Sequence, residues 1–217
     1  MIEKLHYITQ DVEGFSHAEL AEQACKGGAK WVQLRVKNKT AREWFDSAEQ
    51  TKEVCKRYKA TFIINDNVEL AKELNADGVH LGKEDMSVEE ARKILGENAI
   101  IGGTANTLED VVKLINSGVN YIGLGPFCFT STKANLSPIL GIEGYRLIIT
   151  QLRTLNFELQ IPLIAIGGIK PEDIELIMQT GVYGLAISSA VNLDSNRENR
   201  TRIFLNQLNE FNLCKSV

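Results

Sequence analysis

A short phrase recurs along the chain: an amphipathic stretch, a glycine or other small residue, then a brief apolar run. It appears as KGGAKWVQL (26–34), NADGVHLG (75–82), NSGVNYIGLG (116–125) and QTGVYGLAIS (179–188). Each reads as a helix closed by glycine at its C-terminus, where the backbone turns left-handed, followed by a buried strand. The pattern predicts strands at Leu5–Ile8, Trp31–Val36, Phe62–Asn65, Gly78–Leu81, Ile100–Gly103, Tyr121–Gly125, Leu163–Gly167 and Gly184–Ser188. Between them, Ser16/Glu19, Thr40/Glu43 and Ser87/Glu90 have the spacing of capping boxes, in which a hydroxyl and a carboxylate satisfy the orphan amides of a helix start. Pro171, with Glu172 and Asp173 behind it, predicts a first helical turn, and a short helix is expected over Val68–Leu74.

Helices alternating with strands imply a parallel sheet, because parallel strands need crossover connections. Eight strands with eight crossovers predict an α/β fold, a single (β/α)8 TIM barrel whose active site lies at the C-terminal strand ends. A doubly wound open sheet is the alternative, but it would collect polar residues at one switch point, and here they follow almost every strand. No Pro/Ser-rich linker or charge block divides residues 1–217, so one domain is expected. The length gives roughly 27 residues per βα unit, near the lower limit for such a barrel.

Composition narrows the function classes. The chain is 44% hydrophobic and 24% charged, an ordinary globular balance. A net charge of -4 argues against a generally basic nucleic-acid surface, while leaving room for a local basic site. The opening MIEKLHYITQDVEG lacks a signal peptide's apolar core, and no apolar run approaches the roughly 20 residues of a membrane span. Cys25, Cys55, Cys128 and Cys214 form no CxxC pair, as expected for a reduced cytoplasmic protein.

The candidate chemistry sits just beyond the strands. Alternation sends Gln33, Arg35 and Lys37 to one side of the second strand, two cations and an amide suited to a polyanion such as pyrophosphate. Asn65, Asp66 and Asn67 end the third strand, and Lys83, Glu84 and Asp85 follow the fourth. Asp66 and Asp85 are thus two carboxylates at similar heights, which suits Mg2+ with waters and substrate phosphates; helix capping is the competing use of this segment. Thr104 and Asn106 follow the fifth strand, and Thr107 is expected to cap the next helix. Thr130, Ser131, Thr132 and Lys133 could present hydroxyls and a cation to a phosphate from the loop GLGPFCFTSTK. Gly167 and Gly168, with Ser188 and Ser189, lie after strands seven and eight, where barrels of this kind bind phosphate. His6, His17 and His80 have no metal-ligand spacing and read as structural, as do Trp31 and Trp44.

Together QLRVK (33–37), ND followed by ELA (65–71), ADGVHLG with Asp85, GLGPFCFTSTK (123–133), AIGGI (165–169) and AISSA (186–190) resemble the thiamine phosphate synthase family, in order and almost end to end. The resemblance implies the same barrel and a transferase of thiamine biosynthesis. Such an enzyme joins a hydroxymethylpyrimidine pyrophosphate to a thiazole phosphate with Mg2+, giving thiamine phosphate and pyrophosphate. It implies that Gln33, Arg35, Lys37, Asn65, Thr104 and Lys133 contact the pyrimidine pyrophosphate, with Arg35, Lys37 and Lys133 stabilising the leaving charge. Asp66 and Asp85 would hold Mg2+. Thr130, Ser131, Thr132, Gly168, Ser188 and Ser189 would hold the thiazole phosphate. The implied partners are small molecules, with neither nucleic acid nor membrane; barrels of the family are often dimeric or monomeric, which leaves a homodimer open.

The sequence departs from the family pattern at Thr104 (usually Ser), Asn106 (commonly His), Lys83 (usually Gln) and Gln10 (usually Asp), and Phe129 and Ser131 stand where prolines are frequent. A related thiazole tautomerase shares the barrel and relies on a histidine after the fifth strand; Asn106, which cannot titrate near neutral pH, counts against that reading. A non-catalytic thiamine-phosphate-binding regulator is a further alternative, and the intact metal-ligand pair counts against it.

Overall fold

Every strand of the protein is buried along nearly its whole length, as a sheet covered on both faces requires. The computed structural model describes residues 1–37, 39–130, 137–155, 157 and 161–214. Among them, eight parallel strands close in sequence order into a barrel, with β1 paired to both β2 and β8. The strands are β1 (Leu5–Ile8), β2 (Trp31–Leu34), β3 (Thr61–Asn65), β4 (Gly78–Leu81), β5 (Ile100–Ala105), β6 (Tyr121–Leu124), β7 (Leu163–Ile166) and β8 (Gly184–Ile187). Helices follow in alternation: α1 (His17–Lys26), α2 (Ala41–Tyr58), α3 (Val68–Glu73), α4 (Val88–Leu95), α5 (Leu108–Asn116), α6 (Gly141–Thr154), α7 (Ile174–Gln179), α8 (Ser189–Asn192) and α9 (Arg197–Cys214). No described helix is long and apolar enough to cross a membrane.

The period-two alternation divides the core in two. Outward residues such as Tyr7, Val32, Leu34, Ile64, Ile122 and Leu185 join the helices in one large cluster. Inward residues Ile8, Trp31, Ile63, Tyr121, Ile164 and Ala186 fill the barrel. Rings dominate this inner core: His6 stacks on Trp31 at 4.1 Å between centroids, and Trp31 meets Tyr121 edge-on at 5.3 Å. Gly102 on β5 makes room for them, since a Cβ there would lie 2.1 Å from the Tyr121 ring.

All three predicted capping boxes form with both reciprocal bonds, at Ser16, Thr40 and Ser87. Beyond single-residue shifts at the ends of β3, β6, β7, β8 and α3, four expectations change. The β5 strand runs two residues further than its pattern suggests, because Thr104 and Ala105 pair with Gly123 and Leu124 of β6. β2 ends earlier, at Leu34. Pro171–Asp173 is a 3-10 turn leading into α7 rather than its first α-turn. In NADGVHLG the left-handed residue is Asn75 (φ 47), not the glycine; Gly78 belongs to β4, where a Cβ would sit 1.9 Å from the Ile100 carbonyl oxygen.

Candidate active site

The C-terminal ends of the strands surround a cleft of about 590 Å3. Its floor comes from inward side chains at the strand ends, such as Gln33, Asn65, Thr104 and Ile166, and its walls from the residues that follow. Gln33 and Asn65 are buried neighbours on β2 and β3, with Gln33 Nε2 donating to Asn65 Oδ1 at 2.7 Å. Arg35 lies one inward step beyond Gln33, and its backbone N–H is held by the Thr9 hydroxyl at 3.1 Å. Burial pulls the Arg35 guanidinium below its ordinary value, while the carboxylates of Asp66 and Asp11 push it back up. A guanidinium remains cationic under such opposing pressures, so Arg35 presents a fixed positive charge to the cleft.

The two carboxylates expected to hold metal both line the cleft. Asp66 adopts a left-handed backbone (φ 65), an uncommon conformation for a non-glycine residue that sets its side chain apart from the strand. Capping falls to its neighbour: Asn67 Oδ1 accepts from the Leu70 N–H, which starts α3 and leaves Asp66 outside the helix. Asp85 is hooked back onto the end of β4, its Oδ2 accepting from the Gly82 N–H at 2.6 Å. Among the described residues no three His, Cys, Asp or Glu side chains cluster as a metal cage. A pair of exposed carboxylates in a wide cleft suits Mg2+, which keeps waters and takes substrate oxygens as its remaining ligands.

On the opposite side, Gly167 and Gly168 have φ of 99 and 69, and a Cβ on Gly168 would come within 2.6 Å of the Phe129 carbonyl oxygen. The segment after β6 is strapped there: the Phe127 and Cys128 N–H groups donate to the Ile166 and Gly167 carbonyls at 2.8 and 2.9 Å. Thr130, Gly168, Ser188 and Ser189 all line this side. The Ser188 hydroxyl donates to Gln10 Oε1 at 3.0 Å.

The structure therefore brings Gln33, Arg35, Asn65, Asp66, Asp85, Thr104, Thr130, Gly168, Ser188 and Ser189 to one cleft. Lys37 stands further out and is not part of the lining. Ser131, Thr132 and Lys133 lie outside the described residues.

Two contributors escaped the sequence reading. His80, taken there as structural, faces the cleft and bridges the Tyr121 hydroxyl at 3.0 Å and the Thr104 hydroxyl at 2.9 Å. Its position two residues before Gly82, on the inward register of β4, was the available signal. Ser137 is the other: its hydroxyl donates to Asn106 Oδ1 at 2.9 Å, while Asn106 Nδ2 donates to the Gly125 carbonyl. Asn106 is thus tied to both ends of the β6–α6 connection. Lys83 is engaged as well, paired with Asp110 at 2.5 Å, and Asp110 accepts from the Asn106 N–H.

A barrel mouth with a cation, two carboxylates and a glycine–serine wall is a general phosphate-handling design. Comparison with known proteins makes it specific. Residues 5–191 match the family model described as thiamine monophosphate synthase. The thiamine-phosphate synthase of Bacteroides thetaiotaomicron is 48% identical over 202 residues, covering 93% of this chain and 96% of that protein. That of Flavobacterium johnsoniae is 47% identical over 210 residues, covering 97% and 96%. Among solved structures, the thiamine phosphate pyrophosphorylase from Pyrococcus furiosus superposes with a TM-score of 0.82 at 32% identity, covering 96% of each chain. With a model match across most of its length and relatives near half identity, the chain belongs to the thiamine monophosphate synthase family, enzymes of thiamine biosynthesis.

Proposed function

We propose that this barrel, as one domain over residues 1–217 in the cytoplasm, condenses a hydroxymethylpyrimidine pyrophosphate with a thiazole phosphate in its cleft, releasing pyrophosphate. One observation carries the reading. The two halves of the cleft have different chemistry: Arg35, Asp66 and Asp85 on one side, Gly168, Ser188 and Ser189 on the other, with Gln33 and Asn65 at the base.

In this reading Gln33 and Asn65 read the polar edge of the pyrimidine. Arg35 holds the pyrophosphate, joined from the cleft rim by Lys37 and by Lys133, whose role rests on the sequence motif. Thr104, steadied by His80, adds a hydroxyl. Asp66 and Asp85 fit Mg2+, which when bound supplies charge neutralisation at the departing pyrophosphate. Thr130, with Ser131 and Thr132 by motif, joins Gly168, Ser188 and Ser189 in holding the thiazole phosphate.

The residue inventory matches the chemistry. The carbon–oxygen bond to pyrophosphate breaks with its electron pair leaving on oxygen, and the electron-rich aminopyrimidine stabilises the cationic carbon. The thiazole nitrogen donates its lone pair to that carbon. No proton moves, so no general base is needed; the protein's tasks are to align the two partners and stabilise the leaving charge. The tautomerase alternative needs a proton shuttle after β5, and Asn106 there is an amide occupied by Gly125 and Ser137.

The test mixes the purified protein with both substrates and Mg2+ and follows pyrophosphate. Stoichiometric release with thiamine phosphate formation is expected. Isomerisation of the thiazole without pyrophosphate release would overturn the proposal. Asp66→Asn and Lys133→Ala are each expected to cut turnover at least about a hundredfold with the fold intact.

A further inference from the structure

Behind the serine wall of the cleft lies a buried polar chain that the reaction itself does not call on. Asn192, at the end of α8, is fully buried. Its two Nδ2 hydrogens are shared among three acceptors, the Ile8 carbonyl at 2.8 Å, the Ser188 carbonyl at 3.0 Å and the Ser188 hydroxyl oxygen at 3.2 Å. Its Oδ1 accepts from the Tyr7 hydroxyl.

The direction of this chain is fixed by chemistry. The two carbonyls can only accept, so the amide nitrogen must face them and the amide oxygen must face Tyr7. Tyr7 is completely buried on the outward side of β1, and burial pushes its phenol far above the ordinary value, so the hydroxyl keeps its proton and donates. At the other end, an Asn192 N–H that also bonds the Ser188 carbonyl points at a lone pair of the Ser188 hydroxyl oxygen. The Ser188 proton is therefore turned away from Asn192, and here it reaches Gln10 Oε1 at 3.0 Å.

We infer that Tyr7 and Asn192 are positioning residues that commit the Ser188 hydroxyl to donating, so that a phosphate oxygen entering the cleft finds a proton there rather than a lone pair. A serine free to rotate would present either, and a lone pair facing an anion repels it. Gln10, two residues beyond the cleft-lining Ile8, is the acceptor that a phosphate oxygen replaces. The inference rests on the proposed thiazole-phosphate half of the cleft and assigns it residues that never touch the ligand.

The test is Tyr7→Phe, a change that removes one oxygen from a buried ring. It leaves Asn192 Oδ1 buried without a donor and lets the amide shift, its nitrogen still toward the two carbonyls, so that its N–H no longer pins the Ser188 oxygen. The expected result is a rise of about fivefold in KM for thiazole phosphate, and in Kd for inorganic phosphate, with kcat and the KM for pyrimidine pyrophosphate within about twofold. In a Ser188→Ala background the same change is expected to have no further effect on either constant, the signature of two residues acting through one hydroxyl. Gln10→Ala, at a partly exposed position, removes the competing acceptor and is expected to tighten phosphate about twofold. Unchanged thiazole-phosphate constants in both single variants would overturn the inference, as would equal shifts for both substrates or a lower Tm as the only effect of Tyr7→Phe. A wild-type protein that binds phosphate with this pattern but releases no pyrophosphate would instead sink the proposed reaction and leave the chain of bonds standing.

Discussion

Arg35 sits where a planar fork has an advantage over a point charge. It is half-buried within the field of the Asp66 and Asp11 carboxylates, and a guanidinium tolerates that desolvation while offering paired donors to a phosphate. Arg35→Lys keeps the charge and loses the fork, so kcat/KM for the pyrimidine pyrophosphate is expected to fall at least about tenfold, read by steady-state kinetics. Thr104→Ser, by contrast, keeps the hydroxyl that His80 contacts at 2.9 Å and is expected to retain activity within about threefold, whereas Thr104→Val loses substantially more. These residues were legible in the sequence because period-two alternation carries Gln33 and Arg35 to the same side. His80 was not, since a lone histidine on an apolar strand looks like any core ring until β5 and β6 bring Thr104 and Tyr121 to its two nitrogens.

Elements are read from their ends, and the helix starts here show how far local chemistry reaches. Ser16, Thr40 and Ser87 each sit three residues before a glutamate, and each closes a reciprocal cap. The strand ends were less legible, because pairing with a neighbour sets where a strand stops, as Thr104 and Ala105 on β5 illustrate. Among the described helices that a side chain caps, α3 is the shortest, with six residues, and leans most on its cap. Asn67→Ala is expected to cost about 1 kcal/mol in chemical unfolding. Because the cap also separates Asp66 from the helix, the same variant should need more Mg2+ for half-maximal turnover, measured by metal titration. An unaltered metal requirement would mean that Asp66 is held by its own backbone alone.

At the scale of the whole molecule, acid acts through the barrel interior. Burial pulls the His6 ring down to about 3, so it stays neutral in the folded protein. Below its ordinary value of 6.5 the unfolded chain takes up a proton there that the folded chain refuses. Stability is therefore expected to decline as pH falls from 6.5 toward 3, with His6 contributing up to about 1.4 kcal/mol per pH unit. His17, also lowered by burial against the opposing pull of Asp11, adds to the decline. Urea midpoints between neutral and mildly acid pH would show the slope, and His6→Phe, which keeps a ring against Trp31, should flatten it. The closed eight-stranded ring was readable from the spacing of glycines and apolar runs. The packing of its interior was not, since no single strand records which residues face each other across the barrel. That packing bears on how such a sequence can diverge. Gly102 is bare because Tyr121 fills its place, so the two positions are inherited as one choice of volume rather than two independent letters. A library randomised at both and sorted for folded protein should return small residues at one only beside large residues at the other, and neutral drift through this barrel must pass by paired steps.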